Sequence, residues 1–344
     1  MIGTRRLLIL GKSKYSRFSD FTTLPSGLAV LPAGAAVAVA GGRLQGQTLA
    51  VNGYELPNNR EFTTNTTGWF AAAGATLSRE DAAALGISPT GGVDDGILKI
   101  LCTGTTTPTA SQTFTATLGT TYQLSCQAYA PSANTAVNAA RLYVTGGLPY
   151  LAADITTEDS WKTLSLTRTA TGATVTMGMA ASGLSVNGEF SYFDAFSCQQ
   201  MTAILLDDVG SPQTRQTVAF PMPAAPSVVP RSVVVRVADA LNLWEVRLTP
   251  NTAGNDCQII EHVAGLQTPR AAVDVDWTAG QTDSVRVTAI GPVLTVEAMK
   301  SGAASWSTVA SYATMTTGLS NTKHGIGIYD TTVDIADTWL SEAL

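Results

Sequence analysis

Residues 121–130, TYQLSCQAYA, decide the fold class because apolar and polar side chains alternate along them. Successive side chains of a strand face opposite ways, so Tyr122, Leu124, Cys126 and Ala128 share one face. Similar short runs recur between Gly, Pro, Asn and Thr clusters, at 140–147, 161–169, 173–179, 232–239, 243–249, 284–290 and 293–299. Many short strands without intervening helices predict an all-β fold of antiparallel β-sandwich, jelly-roll domains.

One short segment favours a helix. In SREDAAALGI, Ser78 is a suitable N-cap residue and Gly86 a suitable C-terminal stop. This segment is the best helical signal in the chain.

The composition indicates a globular chain of more than one domain. Only 13% of the 344 residues are charged, against roughly 25% on average, while 45% are hydrophobic. Disorder normally combines low hydrophobicity with high charge. A net charge of −6 argues against a nucleic-acid partner, since nucleic-acid binding needs a basic face.

The N-terminus lacks the features of a secretory leader. The apolar run LLIL is shorter than the roughly 7–15 residues of a signal-peptide core, and no stretch of about 18 apolar residues exists. We therefore expect synthesis in a cytoplasm without a signal peptide, and no membrane insertion.

The cysteines predict neither zinc nor catalysis. Cys102, Cys126, Cys198 and Cys257 form no CxxC pair. Three lie in apolar strand patterns, which favours buried free thiols, and a Cys126–Cys198 bridge is the alternative.

Residues 54–200 resemble a known kind of domain. They contain Asn58 to Phe62 followed by Gly68-Trp69, a polar strand and an apolar strand around a glycine turn at 111–131, and the closing run 193–196, FDAF. Together these resemble the carbohydrate-binding jelly rolls of phage tail proteins and glycoside hydrolases. Asn59 departs from the glycine that the family prefers.

Residues 17–46 and 203–344 resemble a laminin-G/concanavalin-like sandwich. The features are 234–248, VVRVADALNLWEVRL, the paired strands 284–299 with Gly291 at the turn, and the Gly-x-Gly run 323–329. The last strand, 334–344, should pair with Phe18–Phe21. The short N-terminal fragment could not bury its apolar face alone. We therefore predict that 54–200 is inserted in this domain, with two tandem domains plus a small N-terminal β-element as the alternative.

Four residues are candidates for glycan contact. Alternation turns Gln127 and Tyr129 outward on one strand, and Arg141 and Tyr143 outward on another. An aromatic ring can cover the C–H face of a sugar while amide and guanidinium groups bond its hydroxyls. The alternative is a solvated face on which tyrosines stabilise cross-strand pairs.

The resemblance also implies a structural calcium ion. The closing-strand aspartate is Asp194, with Glu61 or Glu55 as its acidic partner. Calcium takes oxygen ligands, including loop carbonyls, so two carboxylates can suffice. The alternative is that Asp194 accepts backbone hydrogen bonds at a turn.

Residues 1–16 form a basic N-terminal arm. Arg5, Arg6, Lys12 and Lys14 are four of only 20 basic residues, which predicts a segment that docks on a larger assembly. A disordered terminus or an edge strand is the alternative.

The sequence offers no catalytic arrangement. Concanavalin-like glycosidases need paired carboxylates on one strand, and no Glu-x-Asp-x-x-Glu run is present. The only histidines, His262 and His324, lie in strand-like runs without a nucleophile-elbow motif.

These features predict a non-enzymatic virion protein of a tailed phage or phage-like particle, in a tail, spike or head-decoration position. The inserted domain would bind host cell-surface polysaccharide, and other virion proteins and further copies of the chain would be its partners. The alternatives are a purely structural decoration protein and an ancillary module of a polysaccharide-degrading enzyme.

Overall fold

The computed structural model describes residues 16–344 except 20, 22, 25, 90–95, 118, 147–150, 226, 228, 251–254 and 330–333. The chain divides into two compact units. The outer unit comprises Met1–Leu49 and Ala203–Leu344, and the inserted unit comprises Ala50–Thr202. Both consist of antiparallel β-sheets, so the predicted all-β class is confirmed. No helix in the described part of the chain is long and apolar enough to cross a membrane.

The strands follow one another with little helix between them. The outer unit begins with β1 (Ser16–Ser19), β2 (Ala29–Leu31), β3 (Ala36–Ala40) and β4 (Arg43–Thr48). The inserted unit contains β5 (Ala50–Glu55), β6 (Phe70–Ala71), β7 (Ala75–Asp81), α1 (Ala82–Leu85), β8 (Gly96–Cys102), β9 (Thr109–Thr115), β10 (Thr121–Tyr129), β11 (Arg141–Gly146), β12 (Leu151–Asp154), β13 (Lys162–Thr169), β14 (Thr174–Ala180) and the first part of β15 (Phe190–Asp208).

The rest of β15 belongs to the outer unit. It is followed by β16 (Thr214–Pro221), β17 (Arg231–Asp239), β18 (Asn242–Leu248), β19 (Cys257–Val263), β20 (Leu266–Val273), β21 (Thr282–Ile290), β22 (Val293–Met299), β23 (Ser307–Tyr312), β24 (Lys323–Ile328), β25 (Asp334–Ala336) and β26 (Thr338–Ala343).

Two sheets face each other in the inserted unit. The Tyr143 sheet has the order β12-β11-β14-β9-β6. In the Gln127 sheet, β13 pairs with β10, and β10 pairs with one edge of β15. On the other edge, β8 and β5 both pair with β15, and β7 pairs with β8. Leu124 and Cys126 of β10 share one buried core with Leu142 and Val144 of β11. The predicted inward and outward faces of both strands are therefore confirmed.

The Gly68-Trp69 motif anchors the loop after β5. Gly68 has φ +90°, a conformation open to glycine because it lacks a Cβ. The Trp69 ring packs edge-on against Phe196 at a centroid distance of 4.8 Å, and its indole N–H donates to Asn59 O at 3.2 Å. The apolar ring is thus buried while its single polar group keeps a partner.

The helix α1 has a different N-cap from the predicted one. Ser78 lies in β7, whereas the Asp81 carboxylate accepts a hydrogen bond from Ala84 N at 2.9 Å. The segment before Asp81 pairs with β8, so it is held extended and the helix cannot start earlier. Gly86 ends the helix in a left-handed conformation, as predicted.

Over the residues that the structure describes, the outer unit contains three sheets. The first has the order β1-β26-β16-β21-β22-β23. The second, here called the central sheet, has β2 on one edge of β15 and continues β15-β24-β17-β18-β19-β20. The third has the order β25-β4-β3. The last strand does pair with the N-terminal segment, as predicted, but the pairing uses Ser16–Ser19 opposite Trp339–Glu342.

The Gly-x-Gly run of β24 is explained by close backbone approach. A Cβ at Gly325 would lie 1.8 Å from Leu205 O of the neighbouring strand. One at Gly327 would lie 2.9 Å from Ser232 Oγ. A larger residue at 325 would push the neighbouring strand away, and one at 327 would displace the Ser232 side chain.

All four cysteines are buried and free. The prediction of buried thiols is confirmed, and the alternative Cys126–Cys198 bridge is wrong. Burial raises the pKa of Cys257 to about 12, with Asp256 adding to the shift. A thiol in such surroundings stays protonated and is a poor nucleophile.

Candidate functional site

The four glycan candidates do not form one surface. Gln127 and Tyr129 lie on β10 of the Gln127 sheet, and Arg141 and Tyr143 lie on β11 of the Tyr143 sheet. Because the inward residues of both strands meet in the same core, the outward residues point away from the unit on opposite sides. Alternation predicts the side of each strand on which these residues lie, but not the sheet that the strand joins, so glycan contact by all four together is not possible on one face.

Tyr129 on the Gln127 sheet is part of a packed aromatic cluster. Its ring centroid lies 5.6 Å from that of Trp161 and 6.1 Å from that of Tyr192. The Trp161 indole N–H donates to Ile87 O, so the segment after α1 lies against this cluster. Burial and the nearby Asp159 raise the pKa of Tyr129. The ring is a packing element with limited free area.

Gln127 is exposed but already has a partner. Its amide Nε2 donates to Thr163 Oγ1 of β13 at 3.0 Å. This contact is an ordinary cross-strand pair that stabilises a sheet. The outward face around Gln127 therefore has few polar groups without a partner and little exposed aromatic surface.

Tyr143 on the other sheet lies across a glycine. Its partner in register on β14 is Gly178, and a Cβ there would come within 2.7 Å of Tyr143 Oη. The missing Cβ lets the phenol ring lie down along the sheet. A Cβ at 178 would also overlap the backbone oxygen of Ala110, so any other residue there would displace both the ring and the neighbouring strand.

The same row of the sheet continues to a second aromatic residue. Gly178 pairs with Ser111 of β9, and Ser111 pairs with Phe70 of β6, so the side chains of Tyr143, Ser111 and Phe70 point to one face. The Phe70 side chain is 70% exposed. Three strand spacings of ~4.8 Å place the two aromatic residues about 14 Å apart. We call this row, from Tyr143 through Gly178 and Ser111 to Phe70, the aromatic row.

Polar groups flank the aromatic row on both sides. On one side, the hydroxyls of Thr113 and Thr176 lie 2.8 Å apart. On the other, Arg141 Nε and Nη2 donate to the two carboxylate oxygens of Asp154 at 2.5 and 3.0 Å. This ion pair cancels its own charge. The surface therefore combines exposed rings, hydroxyls and a neutral ion pair, which suits a polyhydroxylated ligand without strong charge.

The predicted calcium residues have other surroundings. Glu61 Oε1 lies 3.5 Å from Arg60 Nε, and Glu55 accepts hydrogen bonds from Ser197, Cys198 N and Gln199 besides pairing with Arg60. Asp194 is buried on the strand opposite Gln127. In the described ranges no group of three or more His, Cys, Asp and Glu side chains could hold a metal ion. A two-carboxylate calcium site at Glu61 and Asp194 stays a prediction.

The predicted docking residues Arg5, Arg6, Lys12 and Lys14 lie outside the described residues. Their role as a particle-docking arm stays a prediction.

The outer unit has a buried charge cluster that the sequence analysis missed. The Glu245 carboxylate, fully buried, accepts from Arg247 at 3.0 and 2.7 Å, from Tyr329 Oη at 2.8 Å, and lies 2.8 Å from His262 Nε2. Burial alone would raise the pKa of Glu245, but the charge of Arg247 and the His262 contact outweigh it, and the pKa lies well below its usual range. Every carboxylate oxygen is satisfied, so this cluster is structural.

His324, the other histidine, is buried and uncharged. Its Nδ1 accepts from Arg236 N at 3.1 Å, so its Nε2 carries the proton and donates to Ser211 O at 3.0 Å. Burial lowers the pKa of His324 to about 4; the hydrogen bond to the Ser211 carbonyl raises it back in part, and the charge of Arg236 lowers it by a smaller amount. Neither histidine faces a nucleophile in these contacts.

The sequence analysis also missed three residues of the aromatic row, Phe70, Gly178 and Ser111. Phe70 directly follows Gly68-Trp69, and its exposure could have been inferred because Trp69 points inward. Gly178 within the apolar run 174–180 was a second signal, since a glycine inside a strand often marks a close approach. The sequence did not indicate that these residues belong to the same sheet as Tyr143.

Comparisons with known proteins give distant likenesses. No family model matches the sequence, and no curated protein matches it. Among solved structures, the enzymatically active domain of bacteriophage CBA120 tailspike protein 4 is 10% identical with a TM-score of 0.34, over 42% of this chain and 21% of that one. The chain thus spans about a fifth of that domain's length.

Two structures of carbohydrate-binding modules, one single and one tandem, are similar at the same level. The module CBM66 from Bacillus subtilis is 9% identical with a TM-score of 0.29, over 42% of this chain and 78% of that one. The N-terminal CBM22-1-CBM22-2 tandem domain of Xyn10C from Paenibacillus barcinonensis is 10% identical with a TM-score of 0.33, over 82% and 94%. At these values the likenesses carry no evidence about ligand or activity.

Proposed function

We propose that the inserted unit binds polysaccharide through the outer face of the Tyr143 sheet. The observation that carries this proposal is the aromatic row, in which Tyr143 lies over Gly178 and an exposed Phe70 ends the same ladder. A row of about 14 Å fits a chain of sugar units better than one ring. The resemblance of residues 54–200 to carbohydrate-binding jelly rolls supports the same ligand class.

The proposed setting is the virion of a tailed phage or phage-like particle. There the chain would act as a non-enzymatic structural protein, assembled with other virion proteins and further copies of itself. The supporting features are the low charge and the two sandwich resemblances in the sequence. Weak single-site sugar binding becomes effective when many copies act together.

The test is binding of the full chain, displayed on a multivalent carrier, to envelope polysaccharides from candidate host bacteria. We expect saturable binding that is lost or weakened roughly tenfold, about 1.4 kcal/mol, in Phe70→Ala and in Tyr143→Ala. Gln127→Ala, on the opposite face, is the matched control and should bind like the unchanged chain. Phe70 is exposed, so its removal leaves the core intact.

Two results would count against the proposal. One is no binding by a folded, multivalent sample to any polysaccharide. The other is loss of binding in Gln127→Ala with none in Phe70→Ala, which would move the site to the other sheet. Repeating the assay with a calcium chelator tests the predicted ion at Glu61 and Asp194 separately.

A further inference from the structure

Strand β3 forms one edge of the third sheet of the outer unit. Within the described residues only β4 pairs with it, in a register that places Ala40 opposite Arg43. The turn between the two strands, Gly41-Gly42, has positive φ at both positions, and a Cβ at either would meet nothing within 4 Å. The tip of this hairpin therefore stands in open space, and the other edge of β3 has no described partner strand.

The register fixes which backbone groups of β3 point to that edge. In a hairpin with a two-residue turn, the residues that flank the turn bond to each other through their backbones, and bonded pairs then alternate with pairs that do not bond. The backbone groups of Ala40 and Ala38 are thus directed at β4, whereas those of Val37 and Val39 are directed away from it. The edge presents their N–H donors and carbonyl acceptors, which another strand can extend.

The edge of β3 lacks the residues that usually prevent a strand from pairing with another chain. Its sequence is AVAVA, and no charged residue occurs between Asp20 and Arg43. Natural edge strands commonly carry charges or prolines as protection. Two other edge strands of the described sheets do so, since β13 contains Lys162 and β20 contains Pro269. The edge of β3 is thus open to a partner strand.

The strand is complementary to a second copy of itself. Its sequence is the same in both directions about Ala38. When two copies pair antiparallel about a two-fold axis at Ala38, Val37 of each copy lies opposite Val39 of the other. These are the residues whose backbone groups point to the edge, so two bonded pairs form in one register. Ala38 meets its own copy across the axis as a pair that does not bond, where side chains come closest and a methyl group leaves room.

The side chains agree with this pairing. Val37 is buried, and so is Leu44, the partner of Val39 on β4, so this face of β3 is turned to the core. Pairing would set β-branched valines side by side there, a favourable cross-strand contact. Ala38 and Ala40 lie on the opposite face and are partly or fully exposed.

We propose that β3 is a self-association surface, on which a second copy of this chain pairs antiparallel about Ala38 and joins the two β25-β4-β3 sheets into one. The inference deepens the proposed assembly of further copies of the chain and rests on it, but it is independent of the polysaccharide surface. A contact of a few backbone hydrogen bonds and short side chains belongs to the weak class of interfaces, with a dissociation constant on the order of 100 µM.

The test is sedimentation equilibrium of the full chain at concentrations up to roughly ten times that dissociation constant. A38K and A38E each place like charges opposite each other at the axis, so each alone should dimerise at least about tenfold more weakly than the unchanged chain. An equimolar mixture of A38K and A38E places opposite charges there and should restore the dimer. A38T carries no charge and suits a strand, so it is the matched control and should dimerise like the unchanged chain.

The proposal is overturned if the unchanged chain stays monomeric over this range. It is also overturned if A38K and A38E dimerise as tightly as the unchanged chain, a result that would keep the proposed assembly of copies but move its contact away from β3. A mixture of A38K and A38E that forms no more dimer than either variant alone would exclude a two-fold axis at Ala38. Polysaccharide binding on the multivalent carrier should be the same for A38K and the unchanged chain, which separates this surface from that of Phe70.

Discussion

Arg247 and Arg236 are both buried in the outer unit, yet they differ in the partners that surround the guanidinium. Arg247 forms a two-point pair with Glu245, and its Nη2 also reaches Gln267 at 3.1 Å. Arg236 has one carbonyl and a buried nitrogen without a partner. A buried charge costs several kcal/mol unless it is matched. The difference indicates that Arg247 serves the fold as half of an ion pair, whereas Arg236 is held in it by a backbone carbonyl.

The largest effect is expected at the matched pair. Glu245→Gln removes the carboxylate and leaves Arg247 as an unmatched buried cation, which should lower the free energy of unfolding by about 3–5 kcal/mol. Chemical denaturation of the two chains measures this. A double Glu245→Leu/Arg247→Met chain should recover most of the loss, and a change below 1 kcal/mol in Glu245→Gln, on the order of a surface substitution, would contradict the structural role.

The next largest effect is a pH dependence of stability caused by His324, which accepts a hydrogen bond from Arg236 N. The pKa of His324 falls from its ordinary 6.5 to about 4 on folding, so its neutral form is favoured in the folded chain. The stability it contributes is full above pH 6.5 and is lost as the pH falls to 4, by roughly 3 kcal/mol.

Unfolding by denaturant between pH 4 and 7 should show this loss in the unchanged chain and a flatter profile in His324→Gln. The comparison of the two chains matters because Asp256, whose pKa burial raises to about 6, shifts stability the opposite way over part of the range. Parallel profiles in both chains would rule out His324 as the cause.

A smaller effect is expected from one donor of the matched pair. Tyr329→Phe removes the hydroxyl that donates to Glu245 at 2.8 Å and keeps the ring. A hydrogen bond to a charged group contributes about 1.5–3 kcal/mol, and Arg247 still satisfies that oxygen, so we expect the lower end. Thermal and chemical unfolding both test this expectation. No change in stability would mean that Arg247 and His262 are sufficient to stabilise the Glu245 carboxylate.

The smallest effect is expected at the unmatched arginine. Arg236→Met removes a buried charge without stranding a partner carboxylate, so the free energy of unfolding should change by about 1 kcal/mol or less, or increase. Arg247→Met is the matched control and should cost about 3–5 kcal/mol because it strands Glu245. Equal losses in both would show that Arg236 has a structural partner after all.

The fold was largely predictable because it depends on local pattern. Alternation in β10 and β11, Gly86 at the end of α1 and the turn at Gly291 each follow from the side chains of a few consecutive residues. The N-cap was misplaced at Ser78 because β8 holds that segment extended, a contact made from outside the segment.

The sequence by itself determined which side chains of each strand face the core, because that depends on the two-residue period of a strand. Only the tertiary structure decided which strands share a sheet. It separated Gln127 from Tyr143, aligned Tyr143 with Gly178, Ser111 and Phe70, and left Arg236 without the carboxylate that Arg247 has. Such contacts join residues far apart in the chain, and their partners are set by sheet order and register rather than by any local pattern.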